Sequence, residues 1–213
     1  MIRKILNLII PQLFFWAFEI LAEKFESKNR LFKGNDLLFK KYISSCRVYG
    51  EYGCGKSTIW VSNNTNVQIL AVDTSKEWIE IVNQNIKNNN STNLKHIDLG
   101  EIGHWGTPID YSKNSSFESY TNWIWFQNKK PDLVLIDGRF RVCCFLSSLK
   151  FADKGTFLIF DDYIDRPHYH FVEKYLPRSK VFGRQCLFEV PEKQLINLKE
   201  LDIDIERFRF VLD

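Results

Sequence analysis

Acidic side chains stand at three places in this sequence, each directly after a short apolar run. Asp73 follows Val67 to Val72 (VQILAV), Asp137 follows Leu133 to Ile136 (LVLI), and the pair Asp161-Asp162 follows Phe157 to Phe160 (FLIF). Carboxylates so placed could take hydroxyl groups, hold a hard cation or accept a proton. A second group is basic: Arg139 and Arg141 follow Asp137, and Arg166-Pro167-His168-Tyr169-His170 follows the Asp pair. Imidazole titrates near neutral pH, so His168 or His170 could act as general base. The guanidinium groups of Arg139, Arg141 and Arg166 could bind an anionic substrate. A third feature is Gly50-Glu51-Tyr52-Gly53-Cys54-Gly55-Lys56-Ser57 (GEYGCGKS), which fits the phosphate-binding pattern G-x-x-x-x-G-K-[ST], with Lys56 on phosphates and Ser57 on Mg²⁺. The same letters also describe a glycine turn that admits a nucleoside. Asp73 lies about 20 residues beyond Gly53, the distance at which a βαβ unit sets a carboxylate on ribose hydroxyls.

The elements that would position these residues alternate from about Arg47 onward. The three apolar runs read as parallel strands buried on both faces, and Leu94 to Ile97 reads as another short one. Between them Trp78, Val82 and Ile86 recur every four residues, and Val142, Phe145, Leu146 and Leu149 follow the i, i+3, i+4, i+7 pattern of a core-facing helix. The expected fold is α/β, a mostly parallel doubly wound sheet with all the acidic groups at its carboxyl edge. Lys56 opens a helix of only about two turns before Asn63-Asn64-Thr65-Asn66 ends it. Gly100 to Ser116 has glycines and polar residues but no period and reads as a long functional loop, in which His104 and Trp105 could close over a substrate. Trp123 and Trp125 are expected to pack before the Leu133 strand. Lys180 to Arg184 and Cys186 to Val190 read as a closing antiparallel hairpin, and Ile203 to Leu212 alternates like a strand without an evident partner.

The bulk numbers set the limits. A chain of 213 residues with 45% hydrophobic content supports one well-buried domain, here 47–213, with a helical extension over 1–46. Net charge is +3 and the basic residues form no stripe, so nucleic acid is not an expected partner. Five cysteines without zinc-ligand spacing fit free thiols in a reducing cytoplasm. The apolar run from Ile5 to Phe18 is too short to span a membrane and is broken by Pro11 and Gln12. It is read as a helix packed on the domain or on a partner copy, with residues 5–22 able to lie on a membrane surface; with Arg3 and Lys4 before it the run also resembles a secretory signal, but no small-residue cleavage site follows.

Taken in order, these motifs resemble those of class I S-adenosylmethionine-dependent methyltransferases, over roughly Arg47 to Val190. Glu51-Tyr52-Gly53-Cys54-Gly55 with Ser57-Thr58 resembles the family's first motif, E/D-x-G-x-G, and Ala71-Val72-Asp73-Thr74-Ser75 its second. The resemblance implies a Rossmann-like methyltransferase fold and an S-adenosylmethionine site. Glu51, Gly53, Gly55, Ser57, Thr58 and Asp73 would bind the cofactor, and Asp98 would lie near its adenine. PDLVLIDG and GTFLIFDDY look like the strand ends of metal-dependent O-methyltransferases of the catechol and sugar types, which implies Mg²⁺ on Asp137, Asp161 and Asp162 and a small-molecule or saccharide acceptor. One departure is Asp137-Gly138-Arg139, where the sugar enzymes have D-G-D. Catalysis is then expected from Asp137, Asp161, His168 or His170, and acceptor binding from Arg139, Arg166, His104 and Trp105. The rivals are a phosphate-binding ATPase or kinase using Lys56, and a non-catalytic binding protein of the same fold.

Overall fold

The computed structural model describes residues 30–87 and 91–213. The chain forms two compact units, Met1–Asp36 and Leu37–Asp213. In the first, the described residues hold a 3₁₀ turn, Phe32–Gly34; the extension helix and surface segment expected over residues 5–22 lie outside the described residues. Among the described residues no helix is long and apolar enough to cross a membrane.

The second unit is built on strands β1 (Val48–Tyr52), β2 (Gln68–Asp73), β3 (Thr92–His96), β4 (Leu133–Ile136), β5 (Phe157–Phe160), β6 (Lys180–Phe182) and β7 (Gln185–Glu189). They form one seven-stranded sheet in the order β3-β2-β1-β4-β5-β7-β6. β1 to β5 are parallel, while β7 runs antiparallel to β5 and to β6. Central β1 and β4 are buried at every position, which is why β4 reads as a continuous apolar run; β1 carries Gly50 and the buried Glu51 between its apolar residues.

Helices α1 (Leu37–Ile43), α2 (Lys56–Asn64), α3 (Lys76–Asn85), α4 (Phe117–Asn122), α5 (Arg141–Phe151) and α6 (Leu198–Phe208) flank the sheet. Helix α2 is the short helix expected after Lys56, and α3 starts where Ser75 Oγ accepts from the Trp78 amide at 3.2 Å. In α5 the run Arg141 to Leu149 is buried throughout, and Phe145 packs edge-on against Phe188 of β7 at 4.8 Å between ring centroids. Two elements differ from the reading above. Ile203 to Leu212 is mostly helix α6 and not a strand: Leu201 and Ile205, four apart, point into the core while Ile203 is exposed. Tyr120 lies on α4, a short helix the sequence pattern did not reveal.

Candidate functional site at the carboxyl edge of the sheet

In an open parallel sheet a crevice forms where the strand order reverses, and here that is between β1 and β4. Two glycines meet there. Gly53, just after β1, has φ +88°, and a Cβ on it would stand 2.6 Å from the Gly138 Cα. Gly138 would in turn drive a Cβ to 2.2 Å from the Tyr120 hydroxyl. Two backbones therefore touch where side chains would hold them apart. A Cβ on Gly55 would enter open space, so the turn keeps a vacant face.

The acids around this turn are internal. Glu51 is fully buried in β1 and accepts from the Ser57 hydroxyl and, at 2.6 Å, from the Thr58 hydroxyl, which also receives the Gly55 N–H at 2.9 Å. Glu51 thus braces the start of α2. Burial pushes its carboxyl up to about 8, against the pull of the two hydroxyls. Asp73, at the end of β2, accepts from the Cys54 amide at 2.8 Å and the Ser75 amide at 2.7 Å. Burial raises it to about 6, while those N–H groups favour its charge.

This geometry decides between the two readings of GEYGCGKS. A phosphate-wrapping loop needs its first residues free to curl, yet Gly50, Glu51 and Tyr52 are laddered to both β2 and β4. The segment that turns is Gly53 to Gly55. The phosphate-binding alternative, with Lys56 and Ser57 on phosphates and Mg²⁺, is therefore not favoured.

The irregular segment 97–116 arches over the same edge. Thr74 Oγ1 donates to the Gly106 carbonyl at 2.8 Å, and Arg139 Nη1 donates to Thr107 Oγ1 at 2.9 Å, so the loop is pinned to the ends of β2 and β4. His104 and Trp105 lie exposed at its crest with their rings 5.0 Å apart. Asp98 is exposed; the Gly100 N–H and Lys113 at 3.1 Å hold its carboxyl below the usual range. Among the described residues of this unit the non-glycine ones with positive φ are Trp105 (+57°), Phe140 (+52°) and Asp162 (+55°). All three follow strands at the carboxyl edge, where backbone strain collects when a site must be held in shape.

The strand-end acids do converge. One oxygen from each of Asp137, Asp161 and Asp162 lies within 4.8 Å of the others. They converge on arginines. Arg141 places Nη2 3.0 Å from Asp137 Oδ1 and Nη1 3.6 Å from Asp162 Oδ2. Arg166 Nη2 is 3.0 Å from Asp162 Oδ2. Arg184, from the turn between β6 and β7, uses Nε and Nη2 on the two oxygens of Asp161 and sets Nη1 3.0 Å from Asp162 Oδ1. Gln185 Nε2 adds a bond to Asp161 at 2.9 Å. Asp161 is completely buried and satisfied on both oxygens, which removes it from reach of a substrate. Burial and the Asp161 carboxylate raise Asp137 to about 7, against the pull of Arg141 and Arg184.

The basic residues sort by exposure. Arg141 is buried, bonded to the carbonyls of Gly138 (3.0 Å), Asp161 (2.9 Å) and Asp137 (3.1 Å), so it is a structural cation and not the anion binder expected of it. His170 spends Nε2 on the Tyr163 carbonyl at 3.0 Å and stacks on the Tyr163 ring at 4.7 Å. His168 stands exposed beside Tyr169. Arg184, the centre of the ion-pair network, was not singled out from sequence; its partner Asp161 is 23 positions away across a hairpin.

Comparison with solved structures gives the fold its class. A methyltransferase-like protein from Silicibacter pomeroyi DSS-3 is 28% identical, with a TM-score of 0.72 over 81% of this chain and 91% of that one. An O-methyltransferase from Bacillus cereus, solved in complex with SAH, is 16% identical with a TM-score of 0.51 over 89% and 96% of the two chains. A methyltransferase from Geobacter sulfurreducens is 13% identical with a TM-score of 0.52 over 89% and 96%. No protein-family model matches the chain, and no curated protein matches it. The chain has a Rossmann-like methyltransferase fold, with the C-terminal antiparallel hairpin expected of it.

Proposed function

We propose that the protein is an S-adenosylmethionine-dependent methyltransferase that methylates an oxygen of a small-molecule or saccharide acceptor. The observation that carries this reading is the juxtaposition at the switch point of a glycine turn, its outer face open at Gly55, and the Asp73 carboxylate bonded to that turn's own Cys54 amide. Backbone that approaches closely and an acid about 20 residues further on suit a nucleoside. Gly53, Gly55 and Asp73 would hold the cofactor, Glu51 with Ser57 and Thr58 would fix the turn, and Asp98 would lie towards the adenine. When bound, that cofactor supplies an electrophilic methyl group on sulfur.

The chain's own task is to present the acceptor and take its proton. Asp137 suits the second role: its side chain is 28% exposed, and among the described residues its Oδ2 accepts no hydrogen bond. A carboxyl raised to about 7 is matched to general-base work near neutral pH. His168 is the exposed imidazole nearest in sequence to the Asp pair and is the second candidate. Arg139, held by Thr107, with Arg166, His104 and Trp105, would form the acceptor mouth under the long loop. Five free thiols fit a cytoplasmic setting.

Thermal melting with S-adenosylmethionine, S-adenosylhomocysteine or Mg-ATP tests the reading. A ligand at about 100 times its dissociation constant adds roughly 2.7 kcal/mol, which moves the midpoint of a chain this size by about 5–10 °C. A shift with both adenosyl compounds and none with Mg-ATP is expected. No shift with either adenosyl compound refutes the proposal.

A further inference from the structure

Three carboxylates within 4.8 Å of one another at a strand edge have the outline of a hard-cation site. The site does not fit a divalent ion, because its charge is already met. Three carboxylates face three guanidinium groups, those of Arg141, Arg166 and Arg184, and a guanidinium stays protonated at any pH the fold survives. Arg184 bridges two acids most fully: three of its nitrogens reach both oxygens of Asp161 and one of Asp162, whereas Arg141 spans Asp137 and Asp162 with a single carboxylate contact to each. The two-bond contact to Asp161 has the fork geometry in which arginine binds carboxylate best. Its backbone is anchored too, since the Arg184 carbonyl accepts from the Tyr163 amide at 2.8 Å.

We infer that Arg184 is a built-in cation, its guanidinium holding the place between Asp161 and Asp162 that a divalent ion would take, so that the cluster binds no metal. The network instead fastens the hairpin turn to the chain after β5, through one permanent charge delivered by the protein. Arg184 is thereby a positioning residue for Asp162 and for Arg166, which shares that carboxylate. The inference is independent of the methyl-transfer reading, because it concerns only what occupies the carboxylates.

Mn²⁺ is the probe, followed by loss of its free electron paramagnetic resonance signal and by calorimetry on the full chain. The wild-type protein is expected to bind no Mn²⁺ that Asp161→Asn removes, and its melting temperature should not change with chelator. One equivalent bound by the wild type and lost in Asp161→Asn overturns the inference whatever any other variant does. In Arg184→Gln, which keeps an amide donor near Asp161 but drops the charge, Mn²⁺ affinity should rise at least about tenfold, since a like charge a few ångströms away is removed. A merely structural arginine would give a less stable protein with no gain in metal binding. A folded Arg184→Gln that binds Mn²⁺ no better than wild type therefore also overturns it. If Arg184→Gln does not fold, the wild-type titration decides alone.

Discussion

Glu51 gives the sharpest test of how this site is held. It is completely buried and its carboxyl is raised from 4.5 to about 8, so at neutral pH the folded protein carries it protonated while the unfolded chain has released the proton. The native state then binds more protons than the unfolded state between about pH 4.5 and 8. Stability must fall as pH rises through that window. At about 1.4 kcal/mol per unit, this single group costs roughly 3 kcal/mol by pH 7 relative to pH 4. In a chain of this size that is about 6–12 °C in melting temperature. Glu51→Gln is neutral at every pH and can still pair with the Ser57 and Thr58 hydroxyls. Its melting temperature is expected to lie at or below that of the wild type at pH 5 and to gain on it steadily to pH 8. Because Asp73 and Asp137 titrate in both proteins, the difference between the two curves isolates Glu51. Differential scanning calorimetry from pH 5 to 8 measures it. Parallel curves would show that Glu51 is ionised in the folded state and that the hydroxyls outweigh burial, which refutes the reasoning.

Two further outcomes follow from the geometry. Gly53→Ala sets a Cβ against the Gly138 Cα at 2.6 Å in a left-handed conformation, so it should cost about 3 kcal/mol and weaken S-adenosylmethionine binding measured by calorimetry; unchanged affinity in the folded variant would detach the turn from the site. Asp137→Asn should leave cofactor affinity intact and lower turnover by about 10²–10⁴, and the wild-type kcat/KM should rise with pH through about 7, where Asp137 loses its proton, a limb absent in the variant; an unaltered limb would refute Asp137 as the base.

Much of the architecture could be read from residue order. Strands buried on both faces are mostly apolar, and a carboxylate placed at once after such a run emerges at the sheet's carboxyl edge, so residue order alone puts Asp73, Asp137 and Asp161 there. The glycine turn and its acid at 20 residues were likewise local facts, because one βαβ unit fixes their distance. Ile203 to Leu212 reads as a strand because apolar residues fall at 203, 205, 208, 210 and 212, the first three on the helix and the others beyond it, and only packing shows that Leu201 and Ile205 share the buried side. Whether GEYGCGKS wraps phosphates is undetermined by its letters; hydrogen bonds from β2 and from β4, the latter remote in sequence, hold its first residues straight. The fate of the acids was also a tertiary matter. Asp161 and Asp162 look alike in sequence, yet a guanidinium brought round by the hairpin turn neutralises one in the core and tethers the other at the rim. Type and spacing along a chain determine which groups reach an edge, whereas charge state and ligand preference depend on what the fold sets within a few ångströms, and those neighbours come from anywhere in the chain.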